Sequence, residues 1–144
     1  MSFNHRRKAR ILMCQALYQY AMTKQNQSDV VQQFVADNQQ KKYDKVYFND
    51  HMPILFGQLE TLDALIQSVL IDRKVSEITP VELSVCRLGV YELDQVIDVP
   101  FKVIIAEALH IEKQFGTEDG FKFVNGVLDR LAARLRSGEY PKTV

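Results

Sequence analysis

Apolar residues recur at spacings of three and four along most of the chain, and no stretch alternates with period two for long enough to make a strand. In the first segment Ala9, Leu12, Met13, Ala16, Leu17 and Tyr20 form one stripe, which predicts a helix with that row buried. Roughly opposite it, Arg7, Ile11, Cys14, Tyr18 and Met22 fall within about 80° of one another at helical pitch. This second face is basic at its start and apolar farther on. Two readings fit it: a central helix packed on both sides, or a helix that offers an apolar surface to a partner.

Ser28 and Asp29 are candidate caps for a short helix carrying Val30, Val31, Phe34 and Val35, with Gln32 as a capping-box partner. The polar run from Asp37 to Asp44 reads as a loop. From about Lys45 a long helical pattern extends through Phe48, Leu55, Leu62, Ile66 and Leu70, interrupted by Pro53, which predicts a kink or a new start there. Thr79-Pro80-Val81-Glu82 is a start signal, with Thr as cap, Pro at the first helical position and Glu closing a capping box, for a helix to about Asp94. Pro100 opens another helix on Val103, Ile104, Ala108 and Ile111, with Gly116 at its end. The last runs from about Gly120 to Leu135 on Phe121, Val124, Leu128 and Leu131. Because its period continues across Asn125-Gly126, Gly126 is expected where another helix approaches closely. The expectation is an all-α fold of about seven helices in two small packed bundles that form one domain, divided near residues 72–78. Residues 1–136 make the domain and 137–144 a mobile tail.

A chain of 144 residues with 47% apolar and 25% charged residues has the composition of one soluble globular domain. It has no N-terminal apolar segment of the secretory kind and no apolar run of membrane-spanning length, so a cytoplasmic location is expected. Cys14 and Cys86 are isolated within apolar-periodic segments and read as small core residues.

Charge changes the picture more. The first 28 residues carry Arg6, Arg7, Lys8, Arg10 and Lys24 and no carboxylate, whereas the rest holds 13 basic against 18 acidic residues. The run from His5 to Arg10 at the head of a helix has the form of a polyanion-binding arm, and phosphate backbones are the commonest polyanion; a merely solvated charged terminus fits the cluster equally well taken alone. Phe115, Phe121 and Phe123 cluster around Gly116, Asp119, Gly120 and Lys122. Phe121 sits on the apolar stripe and reads as core, while Phe115 and Phe123 have the better claim to be exposed, where they could stack on unpaired bases. Catalysis has no comparable signal. His5, His51 and His110 lack metal-ligand spacing, no glycine-rich phosphate loop precedes a helix, and neither an enzyme nor a cofactor is expected.

Two motifs, Arg6-Arg7-Lys8-Ala9-Arg10 followed by Gln15-Ala16-Leu17-Tyr18, and Lys122-Phe123-Val124-Asn125-Gly126-Val127-Leu128-Asp129, resemble the two ends of the NusB family. Between them, Val85-Cys86-Arg87-Leu88-Gly89-Val90-Tyr91-Glu92-Leu93, Val99-Pro100, Glu107-Ala108 and Phe115-Gly116 follow at the family's positions. The resemblance implies two helical bundles and a non-catalytic role in transcription antitermination that supports ribosomal RNA synthesis. It further implies pairing with the ribosomal protein NusE to hold single-stranded boxA RNA, in a complex with NusA, NusG and RNA polymerase. Carried over by position, Arg6, Arg7 and Arg10 would contact RNA, Phe115, Asp119, Lys122 and Phe123 would form a second RNA patch, and Tyr18, Met22 and Glu82 would face NusE. The chain departs from the family at Ala106, where an Asn usually stands, and at Pro53, in a place that is helical in relatives. Two other functions compete: a NusB-like module of the kind that precedes the catalytic domain of RNA cytosine methyltransferases, and a homodimer built on the apolar stripe. The first is disfavoured because a cofactor-binding α/β domain needs well over about 100 further residues, and the last predicted helix ends about nine residues before the sequence does.

Overall fold

The computed structural model describes residues 3–139. Among them are seven α-helices and one 3-10 turn, and no strand: α1 Phe3–Thr23, α2 Gln27–Asp37, α3 Lys45–Phe56, α4 Leu59–Gln67, the 3-10 turn Val75–Glu77, α5 Pro80–Gln95, α6 Phe101–Phe115 and α7 Glu118–Leu135. The chain forms two compact units that divide between Leu59 and Glu60. The expected division at 72–78 is therefore displaced, and a specific bond shows why: Asp63 of α4 receives Arg87 Nε and Nη2 of α5 at 2.8 and 2.7 Å, which ties α4 to the second unit.

In the first unit α1 packs against both α2 and α3. The predicted stripe is its core, with Ala9, Met13, Ala16 and Leu17 fully buried, as are Val30 of α2 and Phe48, Met52 and Leu55 of α3. Asn26, not Ser28 or Asp29, caps α2: its side chain accepts the Asp29 amide at 3.2 Å. Pro53 does not break α3, which runs on to Phe56; the interruption falls four residues later, where the Gly57 amide bonds back to the Pro53 carbonyl. Pro53 is exposed, and only one intrahelical donor is forgone.

In the second unit α5, α6 and α7 pack on one another. Every residue of α5 from Ser84 to Leu93 is buried, as befits a helix enclosed on all sides. Its C-terminal carbonyls are closed by Arg136, whose guanidinium donates to Leu93, Glu92, Val96 and Val99 carbonyls at 2.7–3.2 Å. Glu139 completes the corner: it accepts Arg136 Nη1 at 2.7 Å and the Phe101 amide at 2.9 Å. The start of the expected mobile tail is thus anchored, and its remainder, 140–144, lies outside the described residues. Two other expectations are corrected. The close helix approach is at Gly89, where a Cβ would stand 2.8 Å from both Leu128 methyl carbons, whereas Gly126 faces only its own helix's Arg130. Thr79 occupies the cap position of α5 but makes no side-chain cap; its hydroxyl donates instead to Glu82 Oε2 at 2.5 Å, so the predicted box does not form.

Candidate nucleic-acid interface

In the first unit, the basic run forms the opening turns of α1. Arg6 is half-buried, its Nε 2.9 Å from Asp44 Oδ2 and its guanidinium 4.0 Å over the Tyr47 ring. Asp44 serves three neighbours: its other oxygen accepts the Tyr47 amide at 3.0 Å and caps α3, and its own amide donates to the His5 carbonyl at 2.9 Å. Burial alone would raise the Asp44 carboxyl, but the hydrogen bonds from Arg6 and Tyr47 together with the Arg6 charge outweigh it and hold the group below the ordinary range. Arg7 is half-buried, 5.0 Å from the Phe3 ring, and Lys8 is exposed.

Arg10 is different from what the resemblance implies. Only 2% of it is exposed, and its guanidinium lies 5.7 Å from the same Tyr47 ring. It follows Arg6 by one turn on a row that faces α3, so it is packed inside and does not present its charge to solvent. The second face of α1 is exposed only in its later half: Cys14 is buried and Ile11 half-buried, whereas Tyr18 is 41% and Met22 57% exposed. A large aromatic and a methionine left in solvent on a helix whose opposite row is sealed have the composition of a contact surface.

In the second unit the aromatic cluster lies where α6 hands over to α7. Phe115 is 44% exposed at the end of α6, and Asp119 and Lys122 are exposed on the first turns of α7, whose N-terminus is capped by Thr117 Oγ1 accepting the Gly120 amide at 3.0 Å. Phe123 is half-buried, and the Arg73 guanidinium lies 4.5 Å from its ring centroid. Arg73 was not legible as a site residue, because a lone arginine in a loop fifty residues away carries no pattern; only the fold stacks it there. Phe121 is half-buried beside the core row. Glu82, assigned to the partner surface, is half-buried at the start of α5.

Beneath this junction lies an unusual acid. Glu112 is fully buried, neither of its carboxylate oxygens makes a hydrogen bond, and its Oε2 fills the space that a Cβ at Gly116 or Gly120 would need. Burial and the nearby Glu82 push its pKa up to about 7, and the Thr117 amide, close to the carboxylate but outside hydrogen-bond geometry, offsets this only in part. A Cβ at either glycine would displace that carboxylate. Cys14 and Cys86 are both buried and form no disulfide, and burial pushes the Cys86 thiol up, away from any nucleophilic role. Among the described residues no group of three or more His, Cys, Asp or Glu side chains could hold a metal, and no helix is long and apolar enough to cross a membrane.

The model of the NusB family matches residues 7–133. The transcription antitermination protein NusB of Alcanivorax borkumensis is 46% identical over 134 residues, covering 93% of this chain and 89% of that protein. The corresponding protein of Marinobacter nauticus is 45% identical over 134 residues, 93% of this chain and 84% of its own. Among solved structures, T. maritima NusB superposes with a TM-score of 0.77 at 33% identity, over 88% of this chain and 89% of that one. The antitermination factors NusB and NusE in complex with double-stranded RNA include a chain with a TM-score of 0.82 at 23% identity, over 92% of this chain and 99% of that one, a likeness of fold.

Proposed function

We propose, because this chain belongs to the NusB family, that it is a transcription antitermination factor that holds boxA-type single-stranded RNA jointly with NusE and supports ribosomal RNA synthesis. It works by binding and not by catalysis. One observation supports the reading above others: α1 bears cations at its head and exposed Tyr18 and Met22 near its end, while its opposite row is buried from Ala9 to Leu17. A single helix thus offers a phosphate-binding arm and an apolar partner surface. A protein of the same fold was crystallised with NusE and double-stranded RNA.

In this reading Arg6 and Arg7 bind RNA phosphates, and Arg10 supports the arm from beneath through Tyr47. Phe115 and Phe123 stack on bases, Lys122 binds phosphate, and Asp119 accepts hydrogen bonds from base amino groups. Tyr18, Met22 and Glu82 face NusE. The functional module is residues 1–136, acting in the cytoplasm within a complex that includes NusA, NusG and RNA polymerase. The relatives described above are spanned over 84–89% of their own length and carry the antitermination name, which favours this reading over a methyltransferase-linked module.

The test is calorimetric titration of Tyr18→Asp with NusE, beside thermal unfolding of the free variant. A charge in a desolvated contact is expected to cost about 2 kcal/mol of partner affinity with little change in melting temperature. Normal binding by a strongly destabilised variant would make Tyr18 a core residue. A homodimer that NusE does not dissociate, measured by sizing, would assign the face to self-association.

A further inference from the structure

We propose that the exposed ridge of α7 from Lys122 to Arg134, together with Arg73 stacked over Phe123, is a track for the sugar–phosphate backbone of a single RNA strand. The proposal rests on the RNA-binding reading above and extends it from Lys122 and Phe123, which that reading uses, to Arg73, Arg130 and Arg134, which it does not.

The loop bearing Arg73 is built to hold it. Gln67 at the end of α4 grips the backbone on both sides, its amide donating to the Arg73 carbonyl and its oxygen accepting the Val75 amide, each at 2.9 Å. The Glu77 carboxylate accepts the Lys74 amide at 2.8 Å. Asp72, at φ 54°, stands in the left-handed region that turns the chain sharply just before Arg73. An arginine whose loop is so fixed, with its guanidinium carbon 4.5 Å from an aromatic ring centroid, loses little freedom when a phosphate or a base joins it.

From Phe123 the ridge continues along α7. Lys122, Gly126, Arg130 and Arg134 recur every fourth residue, which places them in one row. The three cations are exposed and Gly126 is half-exposed. Gly126 lies under the Arg130 guanidinium: the three atoms nearest to a Cβ there would all belong to Arg130, with Nη1 at 3.7 Å, an ordinary contact, so the glycine holds that cation close to the helix. Arg134 Nη1 donates to Ser68 Oγ at 2.8 Å, which joins the far end of the ridge to α4. The row from Lys122 to Arg134 spans about 18 Å at helical rise. Asp119 and Asp129 flank it, and four cations outnumber them. This basic concentration lies in a part of the chain that is acidic overall, with 13 basic against 18 acidic residues from position 29 onward. A narrow basic row between carboxylates suits one strand's phosphates better than the two backbones of a duplex.

The experiment measures fluorescence anisotropy of a labelled single-stranded RNA carrying a boxA-type element with a six-nucleotide uridine extension at either end, titrated with the protein and NusE across a salt series. The paired substitution Arg73→Ala with Arg130→Ala should reduce the slope of log K against log salt by about 1.4, since each lost single-strand phosphate contact removes about 0.7. Arg73→Lys should keep the slope yet weaken binding severalfold, because an ammonium keeps the charge and loses the stacked plane. An unchanged slope and affinity in the pair, with Arg6→Ala and Arg7→Ala still weakening binding, would overturn the track and leave the RNA reading intact. Failure of the unaltered protein with NusE to bind the RNA would overturn both. Tighter binding of the same sequence as a duplex would overturn the single-strand assignment.

Discussion

Each unit buries a carboxylate near its candidate binding surface, and the two are treated in opposite ways. Asp44 is 3% exposed and receives Arg6 and the Tyr47 amide; Glu112 is 0% exposed, makes no hydrogen bond through either oxygen, and has Glu82 for a neighbour. Both are closed off from solvent, yet they shift in opposite directions, Asp44 downward and Glu112 up to about 7. The difference teaches that depth alone does not decide the state of a buried acid: the partner sets the sign, because hydrogen bonds to the charged form offset desolvation and a like charge adds to it. The first corner is locked at neutral pH. The second changes charge there.

Breaking the satisfied corner should have the largest effect. Asp44→Ala removes both the bond to Arg6 and the cap of α3, and is expected to lower stability at pH 7 by about 2–5 kcal/mol in urea unfolding. Asp44→Asn keeps a capping side chain and should lose less. Since the folded pKa lies below the ordinary 3.8, the Arg6 bond contributes above that value and fades as pH falls through the folded pKa. The difference between Asp44→Asn and the parent should therefore narrow in acid.

Relieving the unsatisfied corner comes next, with the opposite sign. The Glu112 pKa is raised from 4.5 to about 7, so the folded state favours the protonated acid. The Glu112 contribution to stability is greatest below pH 4.5, declines by up to about 3 kcal/mol as pH rises between these values, and is level above. Glu112→Gln should match the parent at pH 4 and exceed it by about 2–3 kcal/mol at pH 8. Equal stabilities at pH 8 would show that the carboxylate has a partner there. Thr79→Ala should have the smallest effect, about 0.5 kcal/mol or less, because the hydroxyl caps no backbone amide and its bond to Glu82 is exposed. A loss near 2 kcal/mol would mean that the cap forms in solution.

The helices were legible because periodicity is local. The rows of α1, α6 and α7 could be counted along the chain, and Pro80, Pro100 and Gly116 stand at or next to the helix ends as expected. Tyr18 and Met22 were legible as a face opposite the core row, and Phe115 as an exposed ring. Caps were less so: Asn26 competed with Ser28 and Asp29 within three residues, and hydrogen-bond geometry decided among them. Arg10 misled because a cation inside a basic run carries no sign that its row turns toward Tyr47.

Sequence alone thus determined the all-helical class, the buried stripes, the segregated charge and the family, since each depends on residue order over a turn or a motif. Tertiary structure decided which charges stay on the surface, where the units divide and which glycines lie against a side chain. Arg73 on Phe123, Arg87 on Asp63, Gly89 under Leu128 and Glu112 between Gly116 and Gly120 show why. Most of these pairings join residues far apart in the chain, and all depend on the direction each side chain takes once the helices have packed, which spacing along one helix does not specify.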